Sequence, residues 1–314
     1  MRSSARLPPD PSTHSCRDGL NVGVLNIDKP KGLTSHDVVV SVRRLSGQQR
    51  VGHAGTLDPM ATGVLVVCLG KATRIVEYLM GSAKSYLGTV RFGVITETWD
   101  AEGRVLEERD CEGLSLEAIQ RALPRFTGRI EQVPPMYSAL KRQGQPLYRL
   151  ARQGITVPRN PRTVEVHSLR IMSWQSPELV LRIDCSTGTY VRALAHDLGQ
   201  VLGAGAHLSG LTRLAVGDFR LEGAVSLDTL WSERHSDLWR RHLVPIRVAL
   251  GHMHSVTLDE DTARRVRFGQ AVKLTLAQDA QLYCAYDRQR RLIAILKPDR
   301  KNGLWRPHKV LATS

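Results

Sequence analysis

VGHAGTLDPMATGVLVVCLG, residues 51–70, joins a glycine-rich segment to a continuous apolar run. The apolar run, residues 64–69, predicts a buried β-strand. The residues before it include three glycines and the Asp58-Pro59 pair, which predict a loop. A loop that carries His53 and Asp58 and is attached to a core strand is typical of a reaction site.

Asp58 is the only carboxylate of this loop. An aspartate before a proline is most often a turn residue, so its chemistry has to be argued. A lone carboxylate does not support glycoside hydrolysis of the two-carboxylate kind. The chain also lacks the motifs of zinc hydrolases, P-loop enzymes and dinucleotide-binding enzymes. Acting as a nucleophile or base without a metal or cofactor, a lone aspartate suits a redox-neutral rearrangement.

Bulk composition limits the partners of the chain. It has 314 residues, 42% of them hydrophobic, which is enough to bury a substantial core. The 44 Lys and Arg against 30 Asp and Glu give a net charge of +14. Such an excess indicates a polyanion, most commonly nucleic acid, although a membrane surface or a purely solubilising basic surface are alternatives. No apolar stretch approaches the ~20 residues of a membrane span, so we expect no membrane association.

Cysteine usage and the N-terminus indicate the compartment. The five cysteines are widely spaced and form no C-x-x-C pair, which argues against a zinc knuckle and favours a reducing compartment. Residues 1–20 lack the hydrophobic core of a signal peptide, and their prolines and small polar residues predict a disordered tail. An organelle transit peptide is the weaker alternative. We therefore expect a cytoplasmic protein.

Hydrophobic periodicity predicts an irregular alternation of strands and helices. The predicted strands before the C-terminal region are residues 22–27, 64–69, 86–92, 163–172 and 179–186, with another beginning at Ala215. The predicted helices are one capped at Thr34-Ser35 and ended by Gly47, followed by residues 71–79, 115–126 and 191–202. The order lacks the regularity of βαβ units, so we expect an α+β fold.

A domain boundary is predicted in the charged, histidine-rich stretch near residues 232–252. After it, a helix over residues 261–268 precedes three short β runs, residues 271–276, 282–286 and 292–296. The predicted organisation is a tail over residues 1–20, a main domain over residues 21–250, and a small β-rich domain over residues 251–314.

The segment VGHAGTLDPMATGVLVVCLGKATR resembles the signature of the TruB family, bacterial tRNA pseudouridine synthases that modify the uridine at position 55 in the T loop. The likeness spans roughly residues 20–220 and continues through LNIDKPKGLTSHDVV, KSYLGTVRFG, VPPMYSALKRQGQPLYRLARQG, CSTGTYVRALAHDLG and AHLSGLTRLAVG. The C-terminal residues resemble, more weakly, the PUA-type RNA-binding module. The resemblance implies a mixed-sheet catalytic domain followed by a PUA-like domain.

The resemblance also implies roles for individual residues. Asp58 matches the catalytic aspartate, and Arg192 matches the arginine that pairs with it. Tyr86 matches the tyrosine that stacks on the target base, and Tyr190 matches the second tyrosine of the family.

Three further positions match substrate-binding residues of the family. His53 matches the histidine that helps to hold the splayed T loop. Leu211 matches a leucine that lines the base pocket, and Lys29 matches a basic residue near the site. By default His53 would be a surface or loop histidine, and Leu211 would be a core residue.

The implied reaction explains these residue types. The enzyme cuts the N1–C1′ bond of a uridine, rotates the uracil and rejoins it through C5, so no cofactor or metal is expected. Asp58 either attacks C1′ or abstracts the 2′ proton, and the sequence leaves both open. Extruding the base costs a few kcal/mol, and stacking on an aromatic ring returns roughly 1–3 kcal/mol.

The segment from about residue 129 to residue 159 is a basic insertion that resembles the family's thumb over the T loop. Tyr137 and Tyr148 interleave its cations, which suits contact with an RNA backbone better than a merely solvated face. The cations are Lys141, Arg142, Arg149, Arg152 and Arg159.

Two other functions compete with a monomeric enzyme that acts on the T-arm loop of tRNA. One is a uridine isomerase for ribosomal or guide-directed sites. The other is an RNA-binding or tRNA-folding protein that has lost catalysis, against which the presence of Asp58, Tyr86 and Arg192 argues. Pseudouridine formation on an unmodified tRNA transcript distinguishes these alternatives.

Overall fold

The computed structural model describes residues 21–277 and 280–311. The predicted tail over residues 1–20 lies outside the described residues. The strands are β1 (Gly23–Lys29), β2 (Val51–His53), β3 (Thr62–Leu69), β4 (Lys84–Phe92), β5 (Val94–Thr96), β6 (Val105–Glu108), β7 (Gly128–Gln132), β8 (Lys141–Arg142), β9 (Gln145–Pro146), β10 (Arg162–Gln175), β11 (Glu178–Cys185), β12 (Ala206–Val216), β13 (Phe219–Arg220), β14 (Val225–Ser226), β15 (Ser255–Thr257), β16 (Tyr283–Tyr286), β17 (Leu292–Asp299) and β18 (Leu304–Val310).

The helices alternate irregularly with these strands. The α-helices are α1 (Ser35–Ser46), α2 (Val76–Met80), α3 (Leu116–Ala122), α4 (Leu147–Arg152), α5 (Val191–Val201), α6 (Leu227–Ser232), α7 (Ile246–Ala249) and α8 (Glu260–Arg267). The 3₁₀ turns are Gly70–Ile75, Leu123–Phe126, Leu221–Gly223, Arg234–Ser236 and Leu238–His242. None of the helices in the described part of the chain has the length and apolar character needed to cross a membrane.

A large mixed sheet organises the described residues. Its strands follow the order β14-β1-β3-β12-β4-β11-β10-β7, with β13 paired to β12 and β2 to β3. β1 is parallel to β14 and β12 is parallel to β3, whereas the remaining pairs are antiparallel. The predicted α+β fold with a mixed sheet is confirmed.

Strand β3 is buried on both faces, as its continuous apolar run predicts. Val64, Val66 and Cys68 belong to a hydrophobic cluster that includes Ile75 and Leu79. The alternate residues Leu65, Val67 and Leu69 pack instead with α1. The strand therefore gives the Asp58 loop, which immediately precedes it, a rigid attachment to the core.

Helix α1 begins and ends as its sequence predicts. Thr34 and Asp37 form a reciprocal capping box, in which the Thr34 side chain accepts from the backbone of Asp37 and the Asp37 carboxylate accepts from the backbone of Thr34. Gly47 ends the helix with a φ of 66°, in the left-handed region that glycine adopts most readily.

Strand β12 corrects the prediction that a strand begins at Ala215. The strand begins at Ala206, so Ala215 lies near its end, and its pairing with β4 places it in the centre of the sheet. Ser209, Gly210 and Arg213 give the segment the composition of a loop, but pairing on both sides overrides this local preference. Arg213 of β12 pairs in parallel with Gly63 of β3. A Cβ atom at Gly63 would lie 2.3 Å from the Arg213 carbonyl oxygen, so the two backbones approach closely there.

Other boundaries also differ from the predictions. The predicted helices over residues 71–79 and 115–126 are each part 3₁₀ and part α. The predicted strand over residues 271–276 is wrong, because among its residues only Val272 forms a bridge, to Trp305. Strand β18 was not predicted, since its consecutive Arg, Pro, His and Lys residues interrupt any apolar run.

The C-terminal β-rich domain contains the four-stranded sheet β15-β16-β17-β18. Its Cys284 and Ile295 lie in the same hydrophobic cluster as Val66 of β3 and Ile75 of the following 3₁₀ turn. The Lys309 ammonium also donates to the Glu77 carboxylate at 2.6 Å. The two parts of the chain thus share a core.

The stretch near residues 232–252 is packed against the large sheet. Trp239 is 1% exposed and belongs to the cluster beneath α1. Val244 forms an antiparallel bridge with Val24 of β1. The predicted boundary region therefore contributes to the main core.

Candidate active site

The Asp58 loop is fixed from the side of α1. The Ser35 hydroxyl donates to the Leu57 carbonyl at 3.1 Å and accepts from the Leu57 amide at 2.8 Å. The amide of Gly32 donates to the Pro59 carbonyl at 2.8 Å. The residues on both sides of Asp58 are therefore held by groups that precede or begin α1.

Two buried cations bind carbonyl groups of the same loop. The Lys29 ammonium donates to Pro59, and also to Pro30 and Leu33, at 2.6–3.3 Å. The Arg213 guanidinium donates to the carbonyls of Gly55, Thr56 and Val64 at 2.7–3.2 Å. Burial lowers the pKa of Lys29 to about 8, against the opposing effect of Asp58. These cations hold the loop through its carbonyl groups.

Arg192 joins Asp58 to a second carboxylate. Its Nε lies 3.0 Å from Asp58 Oδ2 and its Nη2 lies 3.2 Å from Asp58 Oδ1, the two-point geometry that suits a guanidinium and a carboxylate. Its Nη1 donates to Asp100 Oδ2 at 3.1 Å and to the Thr98 carbonyl at 3.2 Å. Nη2 also donates to the Tyr137 carbonyl at 2.8 Å. The orientation of the guanidinium is therefore fixed on several sides.

Exposure distinguishes the two carboxylates. The Asp100 side chain is 4% exposed, whereas the Asp58 side chain is 34% exposed. The low-dielectric surroundings raise the pKa of Asp58, and the Arg192 guanidinium opposes that shift. Of the two carboxylates, Asp58 is therefore the one that a substrate can reach, whereas the buried Asp100 binds Arg192 from within the protein.

The two predicted tyrosines lie around Asp58. Tyr86 of β4 is 7% exposed and belongs to the cluster that contains Leu57 and is contacted by Leu211. Burial raises the pKa of the Tyr86 phenol, and the neighbouring Arg213 guanidinium opposes the shift.

Tyr190 immediately precedes α5, the helix that carries Arg192. The Gln132 side chain accepts from the Tyr190 amide at 3.0 Å and donates to the Tyr190 carbonyl at 3.2 Å. Gln132 is buried in β7, so the start of α5 is fastened to the edge of the large sheet. This contact sets where both Tyr190 and Arg192 enter the site.

His53 lies on the Arg213 side of the loop. Burial lowers the pKa of His53, and the nearby Arg213 guanidinium lowers it further, so both favour the neutral imidazole. Its Nδ1 is buried and has no hydrogen-bond partner among the described residues. Six of the seven predicted site residues lie around the Asp58 loop or in the hydrophobic cluster that contains Leu57; they are Asp58, Arg192, Tyr86, Tyr190, Leu211 and Lys29. The seventh, His53, lies near Arg213 at the start of the loop. The individual roles of these residues stay predictions.

The chain is similar to known proteins over most of its length. A model described as the N-terminal domain of TruB family pseudouridylate synthases matches residues 43–191, and a model of the tRNA pseudouridylate synthase B C-terminal domain matches residues 192–251. A Dehalococcoides mccartyi protein named tRNA pseudouridine synthase B is 43% identical over 288 residues, covering 92% of this chain and 96% of that protein. This chain belongs to the TruB family. A Burkholderia pseudomallei protein of the same name is 43% identical over 299 residues, covering 93% of this chain and 97% of that protein.

Solved structures share the fold of this TruB-family enzyme. A Cbf5-Nop10-Gar1 complex contains a chain that is 25% identical with a TM-score of 0.72, and the match covers 93% of this chain and 85% of that chain. An H/ACA ribonucleoprotein bound to a substrate RNA contains a chain with 23% identity and a TM-score of 0.70, with 94% and 86% coverage. The activity of the family is pseudouridine formation, so this chain is an isomerase.

Asp100 and Arg213 lie in the network around the Asp58 loop, and neither was predicted from the sequence. Asp100 follows a threonine-rich turn and looks like an ordinary turn residue. Arg213 gave the stronger signal, because an arginine within an otherwise apolar segment such as LTRLAV is buried only when its charge is satisfied. Recognising residues 206–216 as a core strand would have identified it.

We expect kcat/KM of this TruB-family enzyme to fall as the pH drops, with a midpoint above the ordinary range of aspartate. If Asp58 is the catalytic residue, as the resemblance implies, its ionised carboxylate is the reactive form. Burial raises the pKa of Asp58, so protonation sets in at a higher pH than for a free side chain. Initial rates across the acid range measure the midpoint, with circular dichroism to verify that the protein stays folded. Activity that stays flat down to the ordinary aspartate pKa contradicts the assignment.

Proposed function

We propose that this chain converts the uridine at position 55 in the T loop of tRNA to pseudouridine, with Asp58 as the catalytic residue. One observation carries the proposal: the Asp58 carboxylate is partly exposed while both of its oxygens are held by a buried arginine. The names of the relatives, tRNA pseudouridine synthase B, support tRNA over ribosomal or guide-directed substrates.

Asp58 would begin the reaction by attacking C1′ or by removing the 2′ proton. In either case the N1–C1′ bond breaks and its electrons leave with the uracil. The uracil then rotates and C5 bonds to C1′, which either displaces the Asp58 carboxylate from C1′ or is accompanied by return of the abstracted proton to C2′. The C5 proton is lost as N1 gains one. Electrons and atoms balance within the substrate, so the proposed reaction needs no cofactor.

The apolar surroundings would retain the detached uracil. Tyr86 offers a ring for stacking, and Leu57 and Leu211 belong to or contact the same cluster. A site closed over the base excludes water, which would otherwise capture the sugar intermediate. His53, Lys29 and Tyr190 would hold the loop that presents the base.

We expect the T arm to be recognised by a monomer in the cytoplasm. Every site residue described above comes from a single chain, so the proposed reaction does not require a second copy. The C-terminal domain would add a further RNA contact, because α8 carries Arg264 and Arg265 and is followed by Phe268, which is 74% exposed. An exposed aromatic ring among cations suits an unpaired base.

Replacing Arg142 and Arg149 of the basic insertion with alanine should flatten the salt dependence of tRNA binding. Both side chains are exposed, and Arg142 lies in the β8–β9 hairpin while Arg149 lies on α4. For each phosphate that the variant no longer neutralises, the slope of log affinity against log salt should decrease by roughly 0.7–0.9. Fluorescence anisotropy at several salt concentrations measures this slope.

Arg121→Ala is the matched control, since Arg121 is an exposed cation on α3, outside the insertion. An unchanged slope in the double variant would remove the proposed contact between the insertion and RNA.

Release of tritium from [5-³H]uridine tests the proposed function, because C5 loses its hydrogen as the new bond forms. An unmodified tRNA transcript and an isolated T-arm hairpin should both release it. The same hairpin with cytidine at the target position should not. Release that is independent of the target position would refute the proposed specificity.

A further inference from the structure

Trp99 occupies a strained backbone position inside the arginine network. Its φ of 62° lies in the left-handed region, which a bulky side chain rarely adopts. Its two neighbours in the chain, Thr98 and Asp100, both accept hydrogen bonds from the same nitrogen of Arg192. Because Trp99 lies between them in the chain, its backbone conformation sets whether the Thr98 carbonyl and the Asp100 carboxylate can both bind Arg192 Nη1.

Tertiary contacts hold Trp99 in this conformation. Its ring stacks on the His196 imidazole, with centroids 4.4 Å apart and planes within 9° of parallel. The Arg159 guanidinium lies over the same tryptophan ring, 5.8 Å from its centroid. The Leu208 amide of β12 donates to the Trp99 carbonyl at 3.0 Å. Strain of this kind persists only where the surroundings impose it.

His196 connects the stack to the site. It follows Arg192 by four residues on α5, so the two side chains leave the same face of the helix one turn apart. The turn over residues 96–100 thus contacts α5 twice, through the Trp99 ring and through the acceptors of Arg192.

We propose that Trp99 is a positioning residue, whose stack on His196 holds Thr98 and Asp100 against Arg192 and thereby fixes the Asp58 carboxylate. The inference rests on the proposed function of Asp58. Trp99 touches no reacting atom and acts only through the network. Its contact with Arg159, the last cation of the basic insertion, also ties the network to that insertion.

Trp99→Gly tests the proposal, because glycine accepts the left-handed φ but cannot stack. We expect kcat to fall by about 10- to 100-fold with KM for tRNA unchanged, since small misplacements have effects of this size. Trp99→Phe keeps a ring over His196 and should restore most of kcat. Trp99→Gly combined with His196→Ala should lose little more than either change alone.

A carboxyl ¹³C NMR titration of Asp58 tests the same point without activity. The charged groups that influence this carboxylate are Arg192, Asp100, Lys29 and Arg213. When Arg192 is loosened, Asp58 should titrate at higher pH in Trp99→Gly than in the wild type. The control is Arg104→Gln, an exposed position in the β5–β6 region whose closest carboxylate is Glu97, at 4.0 Å.

The outcomes separate the two proposals. If Trp99→Gly matches the wild type in kcat and in the titration of Asp58, or if Trp99→Phe is as impaired as Trp99→Gly, the positioning role is overturned while the proposed function stands. If the wild type forms no pseudouridine, the proposed function fails, and the titration of Asp58 still decides whether Trp99 positions the network.

Discussion

Asp58→Asn is expected to lower turnover by several orders of magnitude while the fold and the affinity for tRNA stay near those of the wild type. Asparagine has nearly the same shape but neither attacks C1′ nor accepts a proton at neutral pH. The variant should fold, because Arg192 keeps the Asp100 carboxylate at 3.1 Å and the carbonyls of Thr98 and Tyr137. Single-turnover rates and binding are to be measured on the same preparation.

Asp58→Glu separates charge from geometry. It restores the negative charge, but the carboxylate sits one methylene further out, and a misplacement of ~1 Å costs about 10²-fold. Asp218→Asn is the matched control, since Asp218 is exposed and lies outside the site. A turn-only role for Asp58 predicts the opposite pattern, in which asparagine supports both binding and turnover.

Arg192→Lys is expected to cause the second largest loss, roughly 10²-fold in turnover. Lysine keeps the charge but offers a single point of contact, whereas Arg192 holds Asp58 with two nitrogens and Asp100 with a third. The acid limb of the rate profile should move to higher pH, because a weaker cation contact raises the pKa of Asp58 further.

Removing the cation altogether should also affect stability. In Arg192→Ala the buried Asp100 loses its ion pair, and breaking a buried pair in this way costs about 3–5 kcal/mol. Urea denaturation measures that loss. Arg182→Lys, at an exposed position on β11, is the control for both variants. Wild-type turnover by Arg192→Lys would show that the two-point contact is not required.

The sequence predicted the parts of the fold that rest on local signals. The run over residues 64–69 became the buried core of β3, and the capping residues Thr34 and Asp37 start α1 as expected. These features need no information about distant residues, since a continuous apolar run or a capping box has the same physical effect wherever it occurs.

Long-range pairing explains what the sequence did not predict. Residues 206–216 have the composition of a loop, and only the pairing of β12 with β4 and β3 makes them a strand. Asp100 was missed for a related reason. Nothing near it in the chain indicates that Arg192, 92 residues later, would bind its carboxylate.

The resemblance predicted Asp58, Arg192 and Tyr86 as site residues, and the structure shows how the first two are arranged. An isolated aspartate in a loop is ordinary. The same aspartate, partly exposed and held at two points by a buried guanidinium, has a fixed orientation and an accessible charge. That arrangement arises from the packing of α5, β12 and the turn at Asp100.

Nucleotide-resolution mapping of pseudouridine in an unmodified tRNA transcript tests the central claim most directly. The transcript is incubated with the wild type and, in parallel, with Asp58→Asn. The wild type is expected to produce pseudouridine at the T-loop uridine at position 55 and nowhere else, and Asp58→Asn none. Modification at another uridine, or equal modification by the two proteins, would contradict the account.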